Sequence, residues 1–386
     1  MRLLIFEWAS GTYTYNDIAE TLTSEGVSFR TVSYNFADKN NDEFFEWRFG
    51  KELEQSYDAV FSVNYFPLVA KCCDKAGIKY ISWSYDNPLD VPDIEKTLGL
   101  SCNRVFLFDR IQADKYRNLG FDNVYHMPLA ANCKRLDAIR LSAKDVAEYE
   151  ADISFVGKMY DSMIGEYLEL MDEYCRGYIE AAMSAQSKVL GYYMIDEILN
   201  DAIMKRINEH FRELDRNTEF VLPKEALSYA MAAEITKRDR ITILHILSKR
   251  YKLNLYSWNK CEILTSVHYK GSCDYPVQMP KVFKASRVNL NIGLRILQSG
   301  IPLRVMDILG AGGFLLSNYQ PEIAENFVDG QDVVMYESVE DAIEKAIFYL
   351  NNNELRERIA ASGHDRVKNE FSYEKQLGKI FEISKL

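Results

Sequence analysis

Short runs rich in β-branched and aromatic residues alternate with stretches of helical spacing along most of this chain, and that alternation leaves few folds open. In the first third the strand-like runs are RLLIF (2–6), VSFRTVSY, YDAVFSVN, IKYISWS, NRVFLFD and NVYHMPL. Between them lie a helix ending near Gly26, then DEFFEWRFGKELEQ, FPLVAKCCDKAG and a helix over 111–120. Strands separated by helices pair in parallel through crossovers, and such sheets bind ligands outside the carboxyl ends of their strands. Two loops are therefore singled out, Glu7 to Tyr13 after the first strand and Tyr85 to Pro92 after the fourth.

A second alternation starts at ADISFVG (151–157) and continues through YKLNLYSW, the short helix PKVFKAS and the strand QDVVMY, with three amphipathic helices filling Val339 to Leu386. Its densest part is Ser286 to Ser317. There Val288, Leu290 and Ile292 alternate with Asn289 and Asn291 at the period of a strand. Pro302 opens a helix, Gly312-Gly313 stops it, and Phe314 to Leu316 return as a strand. Between the two alternations, about 161–250 is almost wholly helical, with a break near Asn217 to Pro223. That is long for one crossover, and it is read as a helical insertion serving structure, acceptor recognition or self-association. A chain of 386 residues exceeds one ordinary core. The expected division is 1–130, a linker over 131–150, and a second domain over 151–370.

Composition removes several function classes. A formal charge of −11 argues against general affinity for nucleic acid or anionic lipid. Seven cysteines without a C-x-x-C pair argue against a disulfide framework or a zinc site, and so for a reducing cytoplasm. Met1 to Phe6 is cut off by Glu7, which gives neither a signal peptide nor a spanning helix. The five histidines lack paired spacing and there is no D-x-D triplet, so metal-independent chemistry is expected, with no cofactor beyond the substrates. Neither a G-x-S-x-G elbow nor a G-x-x-x-x-G-K-[ST] loop occurs.

What remains are residues at strand ends. Ser10, Gly11 and Thr12 in the first half, and Gly157 and Lys158 in the second, let backbone approach a ligand and leave amides to donate. The same sequences also serve as plain turns. Arg304, in the first turn of the helix opened by Pro302, suits a phosphate already attracted by the helix N-terminus, or is a surface residue. Asp86 in SWSYDNP is a candidate base or substrate ligand, or the side chain of an Asx-turn. His126 reads as a satisfied buried histidine, and Trp258 either stacks on a base or fills core.

FVGK, NLNI, the P-x-R-x-x-[DE]-I-x-x-x-G-G segment from Pro302 to Gly313, the Phe327-x-x-Gly330 turn and the late Arg358-Ile-Ala-x-x-Gly363, together with YISWSYDNP, FLFDR and MPLAAN, resemble the spore-protein CgeB-like glycosyltransferases. The resemblance spans nearly the whole chain outside the insertion. It implies an α/β, GT-B architecture: two Rossmann-like domains with a central cleft, and a helical insertion in the second. It also implies a final helix, 371–386, crossing back to the first domain. An activated sugar nucleotide is then held mainly by the second domain, and the acceptor approaches from the first. Asn289, Asn291 and Gly312 lie in segments that carry the resemblance and join the donor-binding candidates. In group 1 retaining transferases a Glu-x7-Glu motif contacts the donor. Asp307 matches its second acid, while Ser299 stands where the first would be. The resemblance gives Asp307 the ribose. It gives Lys158, Arg304 and the helix amides the charge building on the diphosphate leaving group.

The expected activity is transfer of a hexose-type sugar from a nucleoside diphosphate, UDP first, to an acceptor inside the cell, either a protein or a glycan precursor. Two other classes stay open: an epimerase or hydrolase acting on the same donor, and a non-catalytic binding partner that assembles through the insertion.

Overall fold

The computed structural model describes residues 1–8, 14–36, 38–89, 91, 93–214 and 220–386. Two six-stranded sheets account for the strands. The first holds β1 (Arg2–Trp8), β2 (Ser28–Tyr34), β3 (Ala59–Val63), β4 (Lys79–Ser84), β5 (Asn103–Leu107) and β6 (Val124–His126) in the order β2-β1-β3-β4-β5-β6. The second holds β7 (Ala151–Val156), β8 (Leu253–Tyr256), β9 (His268–Gly271), β10 (Ser286–Asn291), β11 (Leu315–Asn318) and β12 (Val334–Tyr336) in the order β12-β11-β10-β7-β8-β9. Every neighbouring pair is parallel. Helices cover both faces of such sheets, and the strands are buried accordingly: AVFSV is buried at every residue, as is LNLY.

By its contacts the chain divides into two compact units. The first comprises Met1–Leu136, Gly300–Gly310 and Asp365–Leu386; the second comprises Asp137–Ser299 and Ala311–His364. The Leu303–Gly310 helix thus sorts with the first sheet, although β10 and β11 flank it in sequence. The reason is visible at two glycines. A Cβ on Gly300 would lie 2.9 Å from the Phe108 ring, and one on Gly310 would lie 2.8 Å from the Ala131 methyl. Only backbone fits that closely.

The core of the first unit is aromatic. Phe6 on β1 has ring centroids within 5.0–5.9 Å of Phe66, Phe36, Phe45 and Phe49. The Glu43–Leu53 helix that supplies Phe45 and Phe49 starts at Asp42, whose carboxylate accepts the Phe45 N–H at 2.8 Å. The second unit has two cores. One lies on its sheet around Ile153, Leu255, Leu290 and Leu316. The other lies among the helices Ile164–Glu169, Glu173–Gln186, Ile195–Ile198, Asp201–Leu214 and Lys224–Ser248, around Ile179, Ile207 and Met231. The expected insertion is this second core.

Three local features differ from the sequence expectation. The stretch 131–150, expected as a linker, holds the helices Cys133–Ala138 and Ala143–Tyr149, the latter started by a reciprocal Ser142–Asp145 capping box. β9, at the edge of the second sheet, was not anticipated, and β12 is shorter than QDVVMY. None of the seven cysteines is in a disulfide. Among the described residues no helix is long and apolar enough to cross a membrane.

Candidate functional site

In the second sheet the chain fills one side of β7 with β8 and β9, then moves to the other side with β10, β11 and β12. Between β7 and β10 the loops diverge, and in open parallel sheets that divergence leaves a crevice at the carboxyl ends of the strands. Gly157 and Lys158 follow β7; Ile292, Gly293, Leu294 and Arg295 follow β10.

Gly157 donates its N–H to Tyr256 O at 3.0 Å, and a Cβ there would lie 3.0 Å from the Phe155 ring. Gly293 donates to Asn318 Oδ1 at 2.7 Å, and a Cβ there would lie 2.8 Å from that same oxygen. Both loops therefore run tight against their neighbours, for which glycine is the residue that fits.

Below these loops lie two buried guanidiniums, Arg240 at 7% and Arg295 at 8% exposure. Arg240 comes from the Lys224–Ser248 helix. Its Nε and Nη2 donate to Ile292 O at 3.0 and 2.5 Å, and its Nη1 donates to Lys158 O. The guanidinium carbon sits 5.0 Å from the Phe155 ring centroid and 4.7 Å from that of Tyr160. Arg295 meets the neighbouring residue of the same helix, Asp239, with Nε and Nη2 at 2.8 and 2.7 Å from Oδ2. It also donates to Val189 O and Ser187 O, and its N–H goes to Thr236 Oγ1. Two guanidiniums against one carboxylate leave this trio net positive beside the crevice. Burial pushes the Tyr336 phenol well up, with Asp239 adding to the effect, so it is a neutral hydroxyl.

The candidate residues fall in distinct places. Gly157 and Lys158 end β7, with the Lys158 side chain exposed. Asn291 closes β10 and donates to Ser317 Oγ at 2.9 Å. Asn289 is fully buried deeper in the strand, accepting from Ser154 Oγ at 2.6 Å and donating to Phe283 O and Phe314 O. That carboxamide is spent on the sheet. Trp258 follows β8 and is 71% exposed. Gly312 takes a left-handed φ of 77° just past the Leu303–Gly310 helix.

Arg304, Asp307 and Asp86 belong to the first unit. Arg304 Nη1 donates to Asp307 Oδ2 at 3.0 Å, one helical turn on, and Asp307 is 9% exposed. Burial raises the Tyr85 phenol, and the charges of Asp17 and Asp307 push in the same direction. At the end of β4, Asp86 accepts from Asn64 Nδ2 at 2.6 Å, and Asn64 Oδ1 takes the Tyr85 N–H at 2.8 Å. Asn64 adopts a φ of 65°, the left-handed region that asparagine tolerates best among residues with side chains. Ser10, Gly11 and Thr12 lie outside the described residues. His126 ends β6, half-buried.

Sequence reasoning missed Asn64, Asp239, Arg240 and Arg295. For Asp239 and Arg240 a signal existed. In EITKRDRITIL they share a helical stripe with Ile235, Thr236, Ile243 and Leu244, the apolar side of the helix.

The family described as "Glycosyl transferase-like" matches residues 225–382, from the start of the Lys224–Ser248 helix to near the end of the chain. No curated protein matches the chain. Among solved structures, a glycosyltransferase from Rickettsia africae is similar at TM-score 0.56 and 11% identity, covering 100% of this chain and 97% of that one. The Anabaena protein HepE, in complex with UDP-glucose, is similar at 0.55 and 9% identity, with full coverage of both chains. A sucrose-phosphate synthase from Thermosynechococcus elongatus follows at 0.56 and 8%, covering 100% and 98%. The fold is GT-B. The segment that is similar to the glycosyl transferase-like family contains Arg240, Arg295 and the whole of β10 to β12.

Proposed function

We propose that this chain is a glycosyltransferase of the CgeB-like kind, moving a hexose-type sugar from a uridine diphosphate sugar to an intracellular acceptor without a bound metal. The observation that carries the reading is the crevice between β7 and β10: a topological switch point, backed by two buried guanidiniums, with its β10 side and both guanidiniums in the glycosyltransferase-like segment. A diphosphate carries negative charge that grows on its leaving oxygen as the glycosidic bond breaks, and fixed cations beside it stabilise that growth without reorganising. Lys158, exposed just past the end of β7, is the cation that meets the phosphates. Taken within the first unit by itself, Asp86, oriented by Asn64, keeps its place as candidate base or substrate ligand, and Arg304 and Asp307, paired with each other, keep the roles that the resemblance gives them. The complex of HepE with UDP-glucose supports the choice of uridine nucleotide.

The test is a panel of nucleoside diphosphate sugars, assayed by thermal shift and by release of nucleoside diphosphate with a cell extract as acceptor source, each with and without EDTA. A uridine diphosphate sugar at a hundred times its Kd adds ~2.7 kcal/mol of stability. The expected result is stabilisation by that class alone, with a glycoside formed in EDTA. Free sugar or an isomer as sole product would favour the hydrolase or epimerase reading, and no shift with any member of the panel would leave a non-catalytic protein.

A further inference from the structure

The Lys224–Ser248 helix is 25 residues long, and two adjacent residues near its middle, Asp239 and Arg240, reach the loops beside the crevice. Asp239 fixes Arg295, and with it the loop after β10; Arg240 reaches main-chain carbonyls at the ends of both β7 and β10. A guanidinium 7% exposed has lost its water, and recovers that cost only where its fork meets well-aligned acceptors. Here three of its nitrogens meet two carbonyls, and the flanking rings of Phe155 and Tyr160 set the plane in which the fork lies.

We propose that Arg240 is a positioning residue for the donor diphosphate: it clamps Lys158 O and Ile292 O together, and so holds the two loops at the spacing the phosphates need. The proposal rests on the nucleotide-sugar reading of this crevice. Arg240 does not touch the ligand. It fixes the backbone from which Lys158 and the Gly293 loop project. A lysine at 240 keeps the charge but offers a single ammonium in place of a planar fork, so it cannot hold both carbonyls in the same geometry. An apolar packing residue would owe nothing to guanidinium chemistry, and this difference separates positioning from simple support.

Titration calorimetry with UDP as the probe tests it on the full chain, with parent, Arg240→Ala, Arg240→Lys and Arg238→Ala. Arg238 is an exposed neighbour that pairs with Glu234 on the same helix, and serves as the control. Loss of the clamp is expected to raise the Kd for UDP by roughly tenfold or more in both Arg240 variants, and Arg238→Ala by less than about twofold. Millimolar methylguanidinium is expected to restore much of the affinity of Arg240→Ala, while methylammonium at the same concentration does not. A folded Arg240→Lys with the parent's Kd overturns the proposal, and it remains decisive if Arg240→Ala does not fold. Loss in Arg240→Ala that methylguanidinium leaves untouched also overturns it. If the parent itself does not bind UDP, the reading of the crevice fails, an outcome distinct from either.

Discussion

Each unit of this protein contains a buried aspartate gripped by an arginine, and the two pairs do different work. In the second unit Asp239 and Arg295 lie beside the crevice between β7 and β10, both nearly excluded from water. In the first unit Asp17, on the Tyr15–Ser24 helix, takes Arg135 Nε and Nη2 at 2.6 and 2.9 Å, with Asn132 Nδ2 at 3.1 Å. That pair ties the segment after β6 to the first helix and leaves 22% of the Arg135 side chain exposed. Similar chemistry thus lies beside the proposed site in the second unit and makes a structural tie in the first. Position relative to the switch point decides between them.

The comparison gives its largest expected effects when one partner is removed. Asp239→Ala leaves Arg295 buried and uncompensated, which costs about 3–5 kcal/mol by urea denaturation, and it weakens UDP binding as the loop after β10 relaxes. Asp17→Ala costs less, roughly 2 kcal/mol, because water reaches Arg135, and UDP affinity stays at the parent value. Equal losses of UDP affinity in the two variants would erase the distinction.

A second contrast uses glycine. Gly191, in the insertion, has φ 73°, and a Cβ there would lie 2.6 Å from the Tyr319 ring; Gly77, past the Pro67–Ala76 helix, has φ 68° with open space around it. Gly77→Ala pays only the left-handed backbone, about 1 kcal/mol. Gly191→Ala adds overpacking, for roughly 2 kcal/mol in total. Thermal melts reading the same loss for both would mean that the insertion turn is not seated against Tyr319.

These contrasts mark what the sequence could reveal. Strands buried on both faces, such as AVFSV in the first sheet and LNLY in the second, announce themselves through short runs rich in β-branched, aliphatic and aromatic residues, so the two parallel sheets were legible. β9 was not: HYKG is four residues at a sheet edge, where half the positions face water and no apolar run is required. The grouping of the Leu303–Gly310 helix with the first sheet was hidden because it depends on Phe108, Ala131 and Leu136, far away in sequence. The Gly-Lys turn after β7 was visible as a strand end. The place of Arg240 on the apolar stripe of its helix was visible too, but its partners were not, since they are main-chain carbonyls, which no side-chain pattern encodes.

The smallest expected effect is a cap within the insertion. Asp172 accepts the Cys175 N–H at 2.6 Å at the start of the Glu173–Gln186 helix, and it also pairs with Arg206. The backbone hydrogen bond from Cys175, with Arg206 assisting, holds its carboxyl at about 2, below the ordinary 3.8. A depressed folded-state value means that this stabilisation is complete above the unfolded value and is lost as pH falls from near 4 toward 2. Asp172→Asn is expected to flatten stability against pH in that window. Asp172→Ala costs roughly 1 kcal/mol at neutral pH through loss of the cap. An unchanged acid limb for Asp172→Asn would remove the carboxylate from the account of this helix.

The central claim, that a nucleoside diphosphate occupies the crevice between β7 and β10, is tested most directly by hydrogen–deuterium exchange with and without saturating UDP. The account predicts slower exchange in the backbone of 157–160 and 292–297, with little change in the insertion core around Ile179 and Ile207. Saturation by UDP with exchange at both loops unaltered would contradict it.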